Sequence, residues 1–159
     1  MSYSNEAAQA GVRQFISFKI GDEEYGVDIM AIREIKGWTE TTELPDSPPY
    51  LRGVINLRGA IIPVFDLRAR FSGVLTQATA RHVTIVVTVG RRVLGLLVDA
   101  VADIITVAAD SIQPVPDMDG TDRARFLSGL VTVEGRMVAL LDLENMLRGD
   151  LHAAHDAAA

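Results

Sequence analysis

The chain has 159 residues, of which 48% are hydrophobic and 23% are charged. This is the size of one ordinary domain or of two very small ones, and the composition is that of a folded protein rather than a disordered one. The formal net charge of −6 repels phosphate backbones and anionic lipid, so we do not expect nucleic acid as a partner.

The absence of cysteine and of long apolar runs limits the kinds of site and the cellular location that we expect. Without cysteine there are no disulfides, thiolate metal sites or cysteine nucleophiles. The first residues lack both the basic end and the apolar stretch of a signal peptide, and no apolar run reaches the roughly 18 residues of a membrane span. We therefore expect a cytoplasmic protein that does not insert directly into a membrane.

Short strands dominate the predicted elements. Residues 1–12 are small and polar and residues 148–159 are of low complexity, so both are expected to be flexible tails around a domain at 13–147. The β-branched runs between them predict strands over 15–20, 25–29, 54–57, 60–65, 83–89, 93–98, 130–133 and 137–141. Many short strands at close spacing indicate antiparallel barrels or a sandwich.

Turns and short helices separate these strands. Glycine marks the predicted hairpin turns, at Gly21, Gly59, Gly90 and Gly135. Short helices are predicted directly after Asp66 and Asp142, each with the aspartate as N-cap. Ile29, Ile32 and Ile35 have the spacing of one helical face, which predicts either a core stripe or a rim where Ile32 and Glu34 meet a partner.

An internal repeat organises the whole chain. A shift of 69 positions places Gly21 on Gly90, and a shift of 76 places residues 50–67 on 126–143. The change of shift predicts a seven-residue insertion within 106–125. We predict a mainly β fold of two small five-stranded β-barrel subdomains with short helices, at about 15–71 and 82–147, with a possible exchange of strands at their ends.

The sequence offers no constellation of catalytic residues. His152 and His155 lie in the tail and His82 is expected on the surface. Asp66 and Asp142 are equivalent under the repeat, which favours helix capping over paired acid–base chemistry. We expect no enzyme activity, no cofactor and no metal.

One turn carries a distinctive charge. Asn56-Leu57-Arg58-Gly59 corresponds to Thr132-Val133-Glu134-Gly135 in the second copy, so the shared turn requires the glycine but not the arginine. Arg58 is either a protein-binding residue that recognises carboxylate or an ordinary solvated turn residue, and the turn alone does not separate the two.

Several motifs in the same order resemble the CheW family of chemotaxis coupling proteins, over about 15–147. They are Phe18-x-x-Gly-Asp-Glu-Glu-Tyr-Gly-Val-Asp-Ile, Ile32-Arg-Glu-Ile, Leu51-Arg-Gly-Val-Ile-Asn-Leu-Arg-Gly-Ala-Ile-Ile-Pro-Val-Phe-Asp-Leu and Gly95-Leu-Leu-Val-Asp-Ala-Val. The resemblance implies two five-stranded barrels and a non-catalytic adaptor. Its implied partners are the cytoplasmic tip of methyl-accepting receptors and the regulatory domain of a CheA-type histidine kinase.

The resemblance also implies two sets of contact residues. The receptor-binding set is Ile29, Ile32, Glu34, Leu57, Arg58 and Leu94. The kinase-binding set lies in the loop 113–118 and comprises Gln113, Asp117 and Met118, where relatives often carry a basic residue, an acid and an aromatic. We expect a monomer in isolation that is recruited to membrane-associated receptor arrays. The alternatives are the same fold in a non-flagellar chemosensory pathway (twitching, biofilm or development) and a ligand-binding barrel.

Overall fold

The computed structural model describes residues 11–116 and 125–148. Within these ranges the chain forms ten strands, which are β1 Val12–Ile20, β2 Glu23–Asp28, β3 Ile32–Gly37, β4 Leu51–Leu57, β5 Ala60–Asp66, β6 Val83–Val89, β7 Arg92–Val98, β8 Ala100–Ala108, β9 Leu127–Val133 and β10 Arg136–Leu141. Helix α1 spans Leu67–Ser72, residues 143–148 are also helical, and 3-10 turns lie at Ile29–Ala31 and Ala109–Ser111. No helix in the described ranges is long and apolar enough to cross a membrane.

The ten strands form two five-stranded sheets. Sheet 1 has the order β8-β1-β2-β10-β9, and sheet 2 has the order β3-β6-β7-β5-β4. Most neighbours are antiparallel, but β2–β10 and β5–β7 are parallel. The mainly β prediction with two five-stranded units is therefore confirmed, although the strand pairing is that of open sheets rather than closed barrels.

The two compact units do not follow the two halves of the sequence. One unit contains the described residues up to Met30 together with those within Val101–Met146, and the other contains Ala31–Ala100 together with the described residues from Leu147. These bounds differ from the expected 15–71 and 82–147 because β1 and β2 pair within the sheet that also holds β8, β9 and β10. β1 already begins at Val12, the last residue of the expected N-terminal tail.

Each sheet has its own apolar cluster on one face. In sheet 1 the buried members are Phe15, Ile105, Val107, Val131, Val138 and Leu140. In sheet 2 they are Ile55, Ile62, Val64, Val86 and Leu97. Alternate residues of the strands supply these clusters, as the twofold side-chain period of a strand requires.

The prediction of a helical face at 29–35 is wrong, because this segment is a 3-10 turn followed by strand β3. Ile32 lies opposite Val87, whereas Glu34 already lies opposite Val86. This bulge adds one residue to β3, so positions three apart, Ile32 and Ile35, fall on the same face of the strand. A bulged strand thus reproduced the spacing of a helix.

Strand β8 was not predicted. It is an edge strand, and most of its residues are exposed, including Ile104 at 53%. Only its last five residues, 104–108, alternate between exposed and buried, so the pattern that identifies strands in a sequence covers about half of β8.

Turns and helix caps agree with the sequence. Gly21, Gly59, Gly90 and Gly135 all have positive φ. Asp66 caps α1 by accepting a hydrogen bond from the Ala69 N–H, and the Asp142 carboxylate accepts one from the Asn145 N–H at 3.1 Å.

Gly53 on β4 is a position where we expect substitution to be severe. Its φ is 137°, and a Cβ atom would lie 2.2 Å from the Thr42 carbonyl oxygen, a backbone atom that cannot rotate away. Gly53→Ala should lower the free energy of unfolding by about 3 kcal/mol or more. Gly90→Ala is the matched control, since its φ is 63° with open space around it, and should cost about 1 kcal/mol. Urea denaturation of both variants measures the difference, and equal losses would contradict this account.

Candidate functional site: an ion-paired hairpin tip

The β4–β5 hairpin ends in a tight turn with an arginine in an unusual backbone conformation. Leu57 pairs with Ala60, and the two turn residues Arg58 and Gly59 have φ of 53° and 89°. Both are positive, as in the type I′ turn that suits twisted hairpins. The Asn56 side-chain oxygen accepts a hydrogen bond from the Gly59 N–H at 2.8 Å. A non-glycine residue at this φ costs about 1 kcal/mol, so the turn itself does not favour arginine.

Arg58 forms a bidentate ion pair with Glu34. Arg58 Nη1 donates to Glu34 Oε1 at 2.9 Å and Nη2 donates to Oε2 at 3.0 Å. Glu34 lies on β3 and Arg58 follows β4, and these strands are the two opposite edges of sheet 2. The ion pair therefore links the two edges of an open sheet. The structure brings together the two charges of the expected receptor-binding set, which the sequence left 24 positions apart.

The pair remains accessible. The Arg58 side chain is 76% exposed and that of Glu34 is 26% exposed. Planar guanidinium–carboxylate pairing fixes the orientation of the arginine, while exposure to water limits the contribution of such a pair to about 1 kcal/mol or less. Arg58 is thus held in place but still presents much of its surface to a partner.

The apolar members of the expected receptor-binding set differ in exposure. Ile32 is half-buried opposite Val87, and Leu57 is half-buried against the apolar cluster of sheet 2. Leu94 also pairs with Val87, in the same row across the sheet, but it is fully buried at 0%. The assignment of Leu94 to the receptor-binding set stays a prediction, and the structure places its side chain in the packed interior.

Two exposed isoleucines of sheet 2 were missed. Ile35 on β3 is 42% exposed and Ile61 on β5 is 58% exposed. The sequence left open whether the stripe with Ile35 is core or rim, and it placed Ile61 in a predicted strand without assigning its exposure. The repeat relates both residues to exposed apolar residues of the second copy. Ile61 corresponds to Met137 and Ile35 corresponds to Ile104, and all four side chains are exposed.

Ile29 lies in the other unit, in the 3-10 turn after β2, and is half-buried. The turn is fixed by Asp28, whose carboxylate accepts from the Met30 N–H at 2.9 Å and pairs with Arg13 at 2.9 Å. Met30, next to Ile29, is 89% exposed and is the more accessible apolar side chain of this turn.

Of the expected kinase-binding residues, Gln113 lies within the described ranges. Its N–H and carbonyl both bond to Leu130 of β9 at 2.8 Å, which fixes its backbone beside the edge of sheet 1, and the residue is exposed. Asp117 and Met118 lie outside the described residues.

Asp66 is the centre of a buried polar network and is not paired with Asp142. Its side chain is fully buried and accepts from the Ala69 N–H at 3.2 Å and from the N–H and hydroxyl of Thr76, both at 2.8 Å. Arg52 Nη1 lies 3.4 Å from Asp66 and donates to the Thr76 carbonyl at 2.7 Å. Every bond anchors backbone or neighbouring side chains, which is a structural role.

A second network nearby accounts for His82. Its side chain is 16% exposed, so the expectation of a surface histidine is corrected, and its Nε2 lies 3.4 Å from Asp99. Asp99 also bonds to Arg68, and this hydrogen bond is the main reason that the pKa of Arg68 is raised above its ordinary value. Within 11–116 and 125–148 no cluster of histidine and carboxylate side chains is arranged to hold a metal.

Residues 14–150 match the CheW-like domain family. The chain belongs to this family. It is 49% identical over 144 residues to the probable chemotaxis protein CheW of Rhizobium etli, which covers 91% of this chain and 93% of that protein. The crystal structure of the scaffolding protein TtCheW from Thermoanaerobacter tengcongensis superposes with a TM-score of 0.77 and 31% identity, covering 85% and 87% of the two chains. Protein FrzA of Myxococcus xanthus is 31% identical, covering 89% and 90%.

The equivalent aspartates of this CheW-like chain give a matched test. Asp66→Asn should lower the free energy of unfolding by about 3 kcal/mol, because an amide cannot accept all four bonds and leaves Arg52 without its anion. Asp142→Asn should change stability by less than about 0.5 kcal/mol, because asparagine caps helices as well as aspartate does. The denaturant midpoints of both variants measure these changes. A large loss of stability for Asp142→Asn would contradict the view that Asp142 only caps a helix while Asp66 also anchors a buried network.

Proposed function

We propose that this chain is a non-catalytic scaffold that couples the cytoplasmic tips of methyl-accepting chemoreceptors to a CheA-type histidine kinase in chemotaxis. Membership of the CheW-like family and similarity to a protein named as a scaffold support the proposal. The observation that carries it is the bidentate Arg58–Glu34 pair, which orients an exposed arginine at a hairpin tip. Such a fixed planar cation suits recognition of a partner's carboxylate.

The proposed receptor-binding face is built on sheet 2. Arg58 and Glu34 supply charge that sets the register of a helical tip, and the half-buried Ile32 and Leu57 supply apolar contact. The exposed Ile61 adds apolar area to the same unit. Ile29, in the other unit, is proposed as a further apolar contact. Leu94 acts from beneath, by packing against Val87, which in turn lies opposite Ile32.

The proposed kinase-binding surface is the segment that begins at Gln113. Because its backbone is bonded to β9, the segment leaves sheet 1 from a fixed point. Asp117 and Met118 are proposed to continue this contact, with Met118 as an adaptable apolar side chain.

Coupling requires only that both partners are held at once. A shift in a receptor tip then changes the position of the kinase without chemistry in the scaffold. Modest affinity for each partner suffices, since an array supplies many linked contacts. We propose a cytoplasmic monomer that joins membrane-associated arrays through these contacts.

The alternative is the same fold in a non-flagellar chemosensory pathway. The match to FrzA, a relative that is not named as a chemotaxis protein, supports keeping this alternative. Two observations separate the two pathways. One is the identity of the receptor genes that neighbour this gene, and the other is whether its deletion abolishes swimming chemotaxis or another form of motility.

Reversing the charge of Arg58 tests the receptor-binding face. Arg58→Glu removes the fixed cation and places a second carboxylate beside Glu34, so affinity for a soluble receptor-tip fragment should fall about tenfold or more. Affinity for the kinase regulatory domain should stay within about twofold. Isothermal titration against each partner separately measures both, and wild-type binding to neither partner would refute the coupling function.

Two further variants separate direct contact from folding. Arg91→Glu makes the same charge change at the exposed β6–β7 turn of the same sheet, and should leave receptor binding unchanged. The double variant Glu34→Arg with Arg58→Glu restores the ion pair with reversed polarity. If it also restored receptor binding, Arg58 would act only by linking the sheet edges and not by contacting the receptor.

The kinase contact has its own prediction. Gln113→Ala keeps the two backbone bonds to Leu130 and removes only the exposed amide, so stability should be unchanged. Affinity for the kinase regulatory domain should fall by roughly two- to fivefold, while binding to the receptor tip is unaffected. An equal effect on both partners, or on neither, would contradict the assignment of this segment to the kinase.

A further inference from the structure

A groove in the second unit has no role in the contacts proposed above. Its lining includes three apolar side chains, Trp38, Leu44 and Leu75, and three carboxylates, Glu40, Glu43 and Asp46. We name it the Trp38 groove. None of these residues belongs to the proposed receptor-binding or kinase-binding sets.

The apolar wall of the groove is held rigidly. Leu75 is 49% exposed, although the next residue, Thr76, is buried and bonded twice to Asp66 at 2.8 Å. Leu75 is therefore not a loose loop residue but an apolar side chain fixed next to water. Exposed apolar surface that the fold keeps in place is typical of a contact site.

Trp38 is fixed in the same way. The backbone N–H of Trp38 donates to the His82 carbonyl at 3.0 Å, and the Arg52 guanidinium lies 5.2 Å from the centre of the Trp38 ring. Arg52 is itself anchored on Asp66 and Thr76. The buried Asp66 network thus positions both the tryptophan and the leucine of the groove.

Among the residues that the structure describes, no cation is paired with the carboxylates of the groove. Glu43 and Asp46 are exposed, as is Glu40, and none of the three forms a salt bridge with another residue of the described ranges. Arg52, the cation of the lining, is engaged by Asp66. The groove therefore combines fixed apolar surface with uncompensated negative charge.

We propose that the Trp38 groove binds a basic segment of a partner protein that carries an apolar side chain beside lysine or arginine. The apolar side chain contacts Trp38, Leu44 and Leu75, and the cation lies among the three carboxylates. Aromatic and apolar anchors with complementary charge at the rim are the common pattern of such contacts.

The single tryptophan of the chain gives a direct readout. A short peptide of alternating lysine and leucine, titrated into the full chain, should change the Trp38 emission saturably, and the effect should weaken as salt screens the charges. The counter-probe is a peptide of alternating glutamate and leucine, which should give no saturable change. Absence of a response to the lysine peptide, or equal responses to both, would overturn the proposal.

Variants show whether the groove or the net charge is responsible. Glu40→Gln and Glu43→Gln should each weaken the lysine peptide by roughly two- to fivefold. The controls Asp110→Asn and Glu144→Gln, made singly, each remove one charge from an exposed position elsewhere and should leave the affinity unchanged. Leu75→Ser should weaken binding without changing charge. An equal loss of affinity in the controls would overturn the proposal, because the peptide would then respond only to the overall charge of −6. This outcome does not depend on whether the chain binds the receptor tip or the kinase.

Discussion

Two parallel strand pairs determine how this chain is assembled. β2 pairs with β10 and β5 pairs with β7, and each pair joins a strand of one repeat copy to a strand of the other. A glycine lies in each pair: a Cβ atom at Gly26 would lie 2.9 Å from Leu140 Cδ2 of β10, and one at Gly95 would lie 3.4 Å from Val64 Cγ2 of β5. Parallel neighbours cannot be joined by a tight turn. Each sheet therefore takes a hairpin from one copy and three strands from the other, and the two strand orders are equivalent under the repeat.

The shared frame carries different chemistry in its two versions. Arg58 corresponds to Glu134, which has the same left-handed backbone at φ 50°, and Glu34 corresponds to Asp103. Two acidic side chains cannot form the ion pair that links the edges of sheet 2. Duplication has thus conserved the turn geometry while only one unit acquired a fixed arginine at its tip. Because Arg58 has no equivalent arginine in sheet 1, the receptor-binding role that the family resemblance implies is proposed for sheet 2.

Much of the fold could be predicted from the sequence, and the exceptions have physical causes. Eight strands follow β-branched runs, and the turn glycines and capping aspartates identify where they end. β3 was mistaken for a helical face because its bulge gives Ile32 and Ile35 a spacing of three. β8 was missed because only its last five residues, 104–108, have alternating burial, while the burial of residues 100–103 is irregular. Local patterns predict elements whose burial is regular, and both exceptions are irregular in burial or register.

The site was less predictable than the fold. Arg58 stood out because its turn lacks an arginine in the second copy, but its role came from resemblance to a family. The contact with Glu34 depends on the two edges of sheet 2 approaching each other, which no local pattern encodes. Burial of Leu94 likewise follows from packing on both faces of a central strand. Sequence identified the charged residues of the site, and tertiary structure decided which of them meet.

The exposure of the ion pair bears on how a scaffold of this kind can release its partner. An exposed pair contributes about 1 kcal/mol or less, so a partner carboxylate can displace Glu34 from Arg58 at little cost to the fold. A buried ion pair would not permit such a displacement, because removing one of its two charges leaves the other uncompensated, which costs about 3–5 kcal/mol. In another ion pair of the chain, the fully buried Asp66 carboxylate lies beside the half-buried Arg52, whereas Arg58, paired with Glu34, is 76% exposed. For the docking proposed at this hairpin tip, a weak pair is compatible with reversible binding to a rigid sheet.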